Sequence, residues 1–255
     1  MDTASHNSVV LKQYEPRAAA YVNSAVHAAG EDLERLAAVV GSRPDAVALD
    51  LGCGGGHVSY RLAPLVGKVV ACDLSEAMLA AVREEARVRG LGNLETRQAS
   101  ADALPFDDAA FDLVATRFSA HHWHAFDGGL AEMQRVLESG GTAVFMDVVS
   151  PGSFLLDTWL QSLELLRDPS HVRNASTAEW LAALARADFA IEECRTFRLR
   201  LAFPTWVARM NTPAPHVAAI RSLQDRAAPA VKEYFEIEED GSFTVDTAFF
   251  LARKA

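Results

Sequence analysis

From residue 46 onward, short apolar runs alternate with stretches whose apolar groups recur every three or four positions. The runs "AVALDL" (46–51), "KVVACDL" (68–74), "LETRQAS" (94–100), "FDLVATRF" (111–118) and "TAVFMDVV" (142–149) predict strands. Between them the spacing predicts helices over 56–66, over 75–90 with Ser75 as cap and Gly90 as stop, and over 126–138. Residues 8–40 read as helical with a break at Gly30, as do 153–167 and 177–187. "FAIEECRTFRLRLAF" (189–203) and "FTVDTAFFLARKA" (243–255) complete a set of strands, read as a hairpin interrupted by a proline-bearing helical excursion over 204–238.

Strands alternating with helices require a parallel sheet with right-handed crossovers and helices on both faces. The expected fold is therefore α/β: a Rossmann-like, doubly wound, mostly parallel seven-stranded sheet with an antiparallel C-terminal strand and a helical lid. Half of the 255 residues are hydrophobic, enough for one sizeable core. We expect a single domain over 1–255. Residues 40–150 form its ligand-binding half, and 8–30, 151–175 and 204–238 cap the cleft.

A formal net charge of −10 disfavours nucleic acid and anionic membranes as partners, leaving a small molecule. No apolar run approaches the ~20 residues of a membrane span, and the first residues lack the apolar stretch of a signal peptide. Cys53, Cys72 and Cys194 show no metal-ligand spacing and read as free thiols of a cytoplasmic protein.

The candidate chemistry starts where the first strand ends. Gly52, Gly54 and Gly56 offer bare backbone to a ligand, yet the sixth position of a dinucleotide fingerprint is His57, and no Gly-Lys-Ser/Thr follows. Asp73 closes the second strand, placed to accept the hydroxyls of a ribose. Asp50 stands two residues before the first glycine, where its charge opposes a pyrophosphate and favours an ammonium. A positively charged nucleoside satisfies all three features.

"ALDLGCGGG", "ACDLS", "ASADALPFDDAAFDLV" and "EMQRVLESGG", in that order over 46–150, resemble the successive motifs of class I S-adenosylmethionine-dependent methyltransferases. The closest subgroup is the type 11, ubiquinone/menaquinone C-methyltransferase-like set, and "RFSAHHWH" and "LLRDPSHVRN" resemble one bacterial branch of it. The resemblance implies that Gly52, Gly54 and Gly56 line the methionine part of S-adenosylmethionine, with Asp50 behind its ammonium. Asp73 would hold the ribose, and Leu74, Met78, Ser100 and the Ala101 amide the adenine. Many relatives carry Gly-Asp-Ala where this chain has Ala99-Ser100-Ala101, which puts an Asp102 contact in doubt. Arg117 and Phe118 follow the fourth strand, where the family's active-site wall lies; Arg117 is counted with the cofactor contacts.

His121 and His122 fall within reach of the transferred methyl and are the candidate general bases. The His121–His124 cluster lacks acidic or thiol companions, so no metal site is expected. Phe118, Trp123, His171 and Arg173 are the candidate substrate contacts, Arg173 as a partner for an anionic group. The expected activity is methyl transfer to a small, partly apolar metabolite at C, N, O or S, with S-adenosylhomocysteine as product. The rivals are an NAD-dependent oxidoreductase and a non-catalytic S-adenosylmethionine-binding module. In a thermal-shift comparison S-adenosylhomocysteine should raise the melting temperature and NADH should not; stabilisation by NADH alone would reverse the choice.

Overall fold

A computed structural model describes residues 3–22 and 28–255. Seven strands form one sheet: β1 (Arg43–Leu51), β2 (Val66–Asp73), β3 (Leu94–Gln98), β4 (Phe111–Arg117), β5 (Leu137–Val149), β6 (Phe189–Leu201) and β7 (Phe243–Lys254). Their order is β3-β2-β1-β4-β5-β7-β6. Strands β1 to β5 are parallel, and β7 runs antiparallel between β5 and β6. Chain order reverses between β1 and β4, which opens the crevice in which ligands of doubly wound sheets bind.

Side-chain alternation along these strands sorts the core into two faces. Leu49, Leu51, Phe145 and Phe250 pack on one side against the helices Phe126–Val136 and Thr177–Arg186. Ala48, Leu113, Val144 and Phe249 pack on the other against Glu31–Val40 and His57–Leu62. A third cluster joins the helix Phe154–Arg167 to the excursion between β6 and β7, with Trp159, Trp206, Ile220, Phe235 and Phe243 at its centre. The excursion holds three helices, Phe203–Arg209, Ala214–Asp225 and Pro229–Tyr234. Pro204, Pro215 and Pro229 each sit in a first turn, where the missing N–H costs nothing.

Boundaries differ from the sequence reading, and the helix expected over 56–66 ends at Leu62 with β2 already starting at Val66. The N-terminal helix Thr3–Tyr14 stops before a 3₁₀ turn over Glu15–Arg17 that contains Pro16, and a short helix Ala18–Val22 follows. Residues 23–27 of the expected cap lie outside the described set. The helix expected to reach 138 ends at Val136, because Leu137 already pairs with Phe111 and the strand then bulges past Gly140 to rejoin β4 at Thr142. Among the described residues no helix is long and apolar enough to cross a membrane.

Trp180 ties one face together, stacking on Phe250 and meeting Phe126 edge-on while almost fully buried. Trp180→Ala should lower the unfolding free energy by about 3–5 kcal/mol in denaturant titration.

Candidate active site

One cavity of about 1620 Å³, open mouth included, lies at the carboxyl ends of β1, β2 and β4. Its floor is the turn after β1. Gly54 has φ +48°, and a Cβ there would project into open space; Gly52 has φ +67°, and a Cβ there would collide with Ser119. Bare backbone is thus required at Gly52 by packing and at Gly54 by conformation.

Asp50, at the end of β1, lines the cavity while 1% exposed. The Ser59 N–H (2.9 Å) and hydroxyl (2.6 Å) both donate to its Oδ2, so the carboxyl also caps the helix His57–Leu62. Burial pushes its pKa up to about 7 despite those bonds. Asp73 accepts from the Gly54 N–H through Oδ2 (2.8 Å) and from the Ser75 N–H through Oδ1 (2.9 Å). Each oxygen keeps a lone pair for a hydroxyl, and burial raises this carboxyl too. Leu74, Met78, Ser100 and Ala101 complete this end as anticipated. Asp102 joins them, accepting from the Ser100 hydroxyl. Two carboxyls, exposed glycine backbone and apolar Leu74 and Met78 fit a cationic nucleoside and oppose a pyrophosphate.

The opposite wall follows β4. Arg117 lines the cavity, but its guanidinium makes a two-pronged pair with buried Asp32 (2.5 and 3.0 Å), tying the helix Glu31–Val40 to the site. Phe118 holds φ +51°, a strained conformation for an aromatic residue. Trp123 donates its indole N–H to Ser119 (3.1 Å). Next come the two histidines, with ring centroids 4.2 Å apart. His121 Nδ1 lies 2.6 Å from Asp147, a carboxylate buried within β5. Burial disfavours the His121 cation, but the charge and hydrogen bond of Asp147, with Glu164 and Asp168 beyond, outweigh it and raise the pKa. His122 is pushed the other way, down to about 3, by burial and by the His121 charge beside it. Its Nδ1 faces the Ser170 carbonyl (3.1 Å) and its Nε2 the Tyr14 hydroxyl (2.7 Å), and that hydroxyl also reaches Asp168 (2.9 Å).

Three sequence-predicted contacts are corrected. His171 does not line the cavity: it is buried with Nε2 2.8 Å from Gln161 Oε1. Arg173 also points away, paired with Asp157 (3.0 Å) and Glu179 (3.5 Å). Gly56, with Tyr60 packed behind it, stands outside the cavity wall. Conversely, Tyr14, Tyr21, Glu164, Arg167, Trp206 and Arg209 line the cavity unforeseen. Asp147 carried a readable signal, as the one charged residue inside the apolar run "TAVFMDVV". Glu164 and Arg167 carried another, as charges among the leucines Leu163, Leu165 and Leu166 at the end of their helix. Tyr14 and Arg209 carried none. Among the described residues no group of histidine, cysteine and acidic side chains is arranged to hold a metal ion.

A carboxyl poised near neutrality has to ionise to meet a cation. S-adenosylhomocysteine affinity, measured by calorimetry, should therefore rise from pH 6 to about 7.5 as Asp50 loses its proton, and this rise should vanish in Asp50→Asn. Asp73→Ala should weaken binding about tenfold or more at any pH in that range.

Comparison with known proteins identifies the family. Residues 49–145 match the model of a methyltransferase domain. The uncharacterised protein YafE of Escherichia coli is 46% identical over 200 residues, 78% of this chain and 97% of that protein. The uncharacterised methyltransferase YcgJ of Bacillus subtilis is 30% identical, covering 87% and 88% of the two chains. A crystal structure of a putative methyltransferase from Bacillus halodurans superposes with a TM-score of 0.85 at 32% identity over 88% of this chain and 99% of that one. The chain belongs to the class I S-adenosylmethionine-dependent methyltransferases, in the type 11 methyltransferase-domain family.

Proposed function

We propose that the enzyme methylates a small, partly apolar acceptor and that His121 takes the proton the acceptor gives up. The observation that carries this is the His121–Asp147 pair opening into the cavity that also holds Gly54, Asp50 and Asp73. When bound, S-adenosylmethionine supplies a methyl group already activated by its positive sulfur. The residues around it need only bind, align, exclude water and manage a proton.

Asp50 answers the ammonium and Asp73 the ribose, with Leu74, Met78, Ser100 and Ala101 around the adenine. Asp147 fixes the His121 ring by engaging Nδ1, which leaves Nε2 as the basic atom. An acceptor X–H with its proton toward Nε2 gives up that proton as X gains the methyl, whether X is carbon, nitrogen, oxygen or sulfur. His122, held neutral and clasped by Tyr14 and Ser170, positions rather than titrates. Val10, Tyr14 and Tyr21 from the N-terminal helices and Trp206 from the excursion close over the cleft. They support a cap built from the described parts of 8–30, 151–175 and 204–238, and their apolar surface suits a partly apolar acceptor. Free Cys53, Cys72 and Cys194 support a reducing, cytoplasmic setting.

Incubation with methyl-labelled S-adenosylmethionine and a metabolite panel tests the activity; binding without transfer to any acceptor would count against it. His121→Ala should lower turnover about 10²-fold or more while sparing S-adenosylhomocysteine binding. In an NMR titration the His121 imidazole should show a midpoint above the ordinary histidine value, and Asp147→Asn should move it down. An unmoved midpoint would remove Asp147 from the mechanism.

A further inference from the structure

The acceptor half of the cavity is not uniformly apolar. The helix Phe154–Arg167 brings Glu164 and Arg167 to the cavity wall, with Gln161 behind the wall about 9 Å from Arg167 along the axis. At its Gln161 end, Asn174 is buried with its backbone N–H and carbonyl both bonded to the Gln161 side chain. Asn174 lines the cavity, and its side-chain Nδ2 has no hydrogen-bond partner. A buried amide donor left unmade costs about 1–3 kcal/mol, so this orphan on a cavity-lining residue points to a ligand oxygen.

At the other end Arg167 sits against Glu164 (3.5 Å), donates to the Trp206 carbonyl (3.1 Å) and lies over the Trp206 ring. Arg209, one helical turn beyond Trp206, lines the same cavity half-buried. Among the described residues it has neither a hydrogen bond nor an ion pair. The nearby acids are already engaged: Glu164 with Arg167, and Asp168 with the Ser170 N–H and hydroxyl through Oδ1 and with Tyr14 through Oδ2. Burial and then repulsion from Arg167 lower the Arg209 pKa more than Tyr21, Tyr14 and Glu164 raise it, and its guanidinium has no bonded counter-ion. Val148, Leu199, Leu201 and Trp206 give the space between an apolar lining.

We infer that the acceptor is a carboxylate with an apolar body, its carboxylate held by Arg209 beside Arg167 and a second oxygen held by Asn174 Nδ2. This rests on the methyl-transfer reading above and names the substrate class for it. A guanidinium pairs with a carboxylate through two parallel N–H bonds. One cation without a bonded partner matches one negative charge; a phosphate monoester would bring a second charge toward Glu164 and Asp168.

Octanoate, octanamide and octyl phosphate serve as probes, titrated calorimetrically into the full-length protein with and without S-adenosylhomocysteine. Octanoate should bind at least tenfold more tightly than octanamide and more tightly than octyl phosphate. Arg209→Gln should abolish the preference over octanamide while leaving octanamide itself unchanged. Arg209→Lys, which keeps the charge but not the fork, should retain part of it. Equal binding of octanoate and octanamide, an unaltered Arg209→Gln variant or no octanoate binding would overturn the assignment. Tighter binding of octyl phosphate would overturn the carboxylate in favour of a dianion. S-adenosylhomocysteine binding is read separately in the same protein, so failure of the cofactor site and failure of the anion site give different results.

Discussion

Carboxyls at the carboxyl ends of parallel strands set the terms for the whole molecule. Asp50 ends β1, Asp73 ends β2 and Asp147 lies near the end of β5; Asp50 and Asp147 are almost fully buried and Asp73 half-buried, so their charge is expensive unless matched. The match differs in each case. Asp50 takes the start of the next helix, Asp73 draws in the glycine turn and the Ser75 amide, and Asp147 takes a histidine ring. Fold and site thus share the same bonds: the contacts that seat the helices on the sheet also fix where charge faces the cavity.

This arrangement divides labour between two adjacent histidines. Their rings are too close for both to carry charge comfortably, and the only question is which one has the counter-ion. Asp147 resolves it in favour of His121. His122 is left neutral, its ring nitrogens occupied by Ser170 and by Tyr14 from the N-terminal helix. That helix is thereby fastened to the wall that carries the two histidines, as the helix Glu31–Val40 is fastened by the Asp32–Arg117 pair. Anchoring the N-terminal helix and setting the charge of the histidine pair draw on one network.

The cofactor half was legible because its residues are local. The glycine turn, Asp50 and Ser59 lie within one strand–turn–helix unit, and Asp73 with Ser75 and Met78 in the next. Strand and helix periods place such units with little help from distant contacts. The acceptor half joins Tyr14, His122, Asp168 and Arg209, whose separation along the chain exceeds what any motif spans. "RDPSHVRN" was placed in the right region, yet His171 and Arg173 turned to the helix behind them, because Gln161 and Asp157 were there to receive them.

By itself the sequence determined the alternation of strands and helices and the place of the glycine turn, Asp50 and Asp73 at the strand ends that line the crevice. These follow from hydrophobic period and short-range spacing, which survive in one dimension. The tertiary structure alone decided which histidine has a counter-ion, which cap residues enter the cleft and which arginine has no bonded counter-ion. Pairing and burial of charge depend on neighbours that the chain brings together only when it folds.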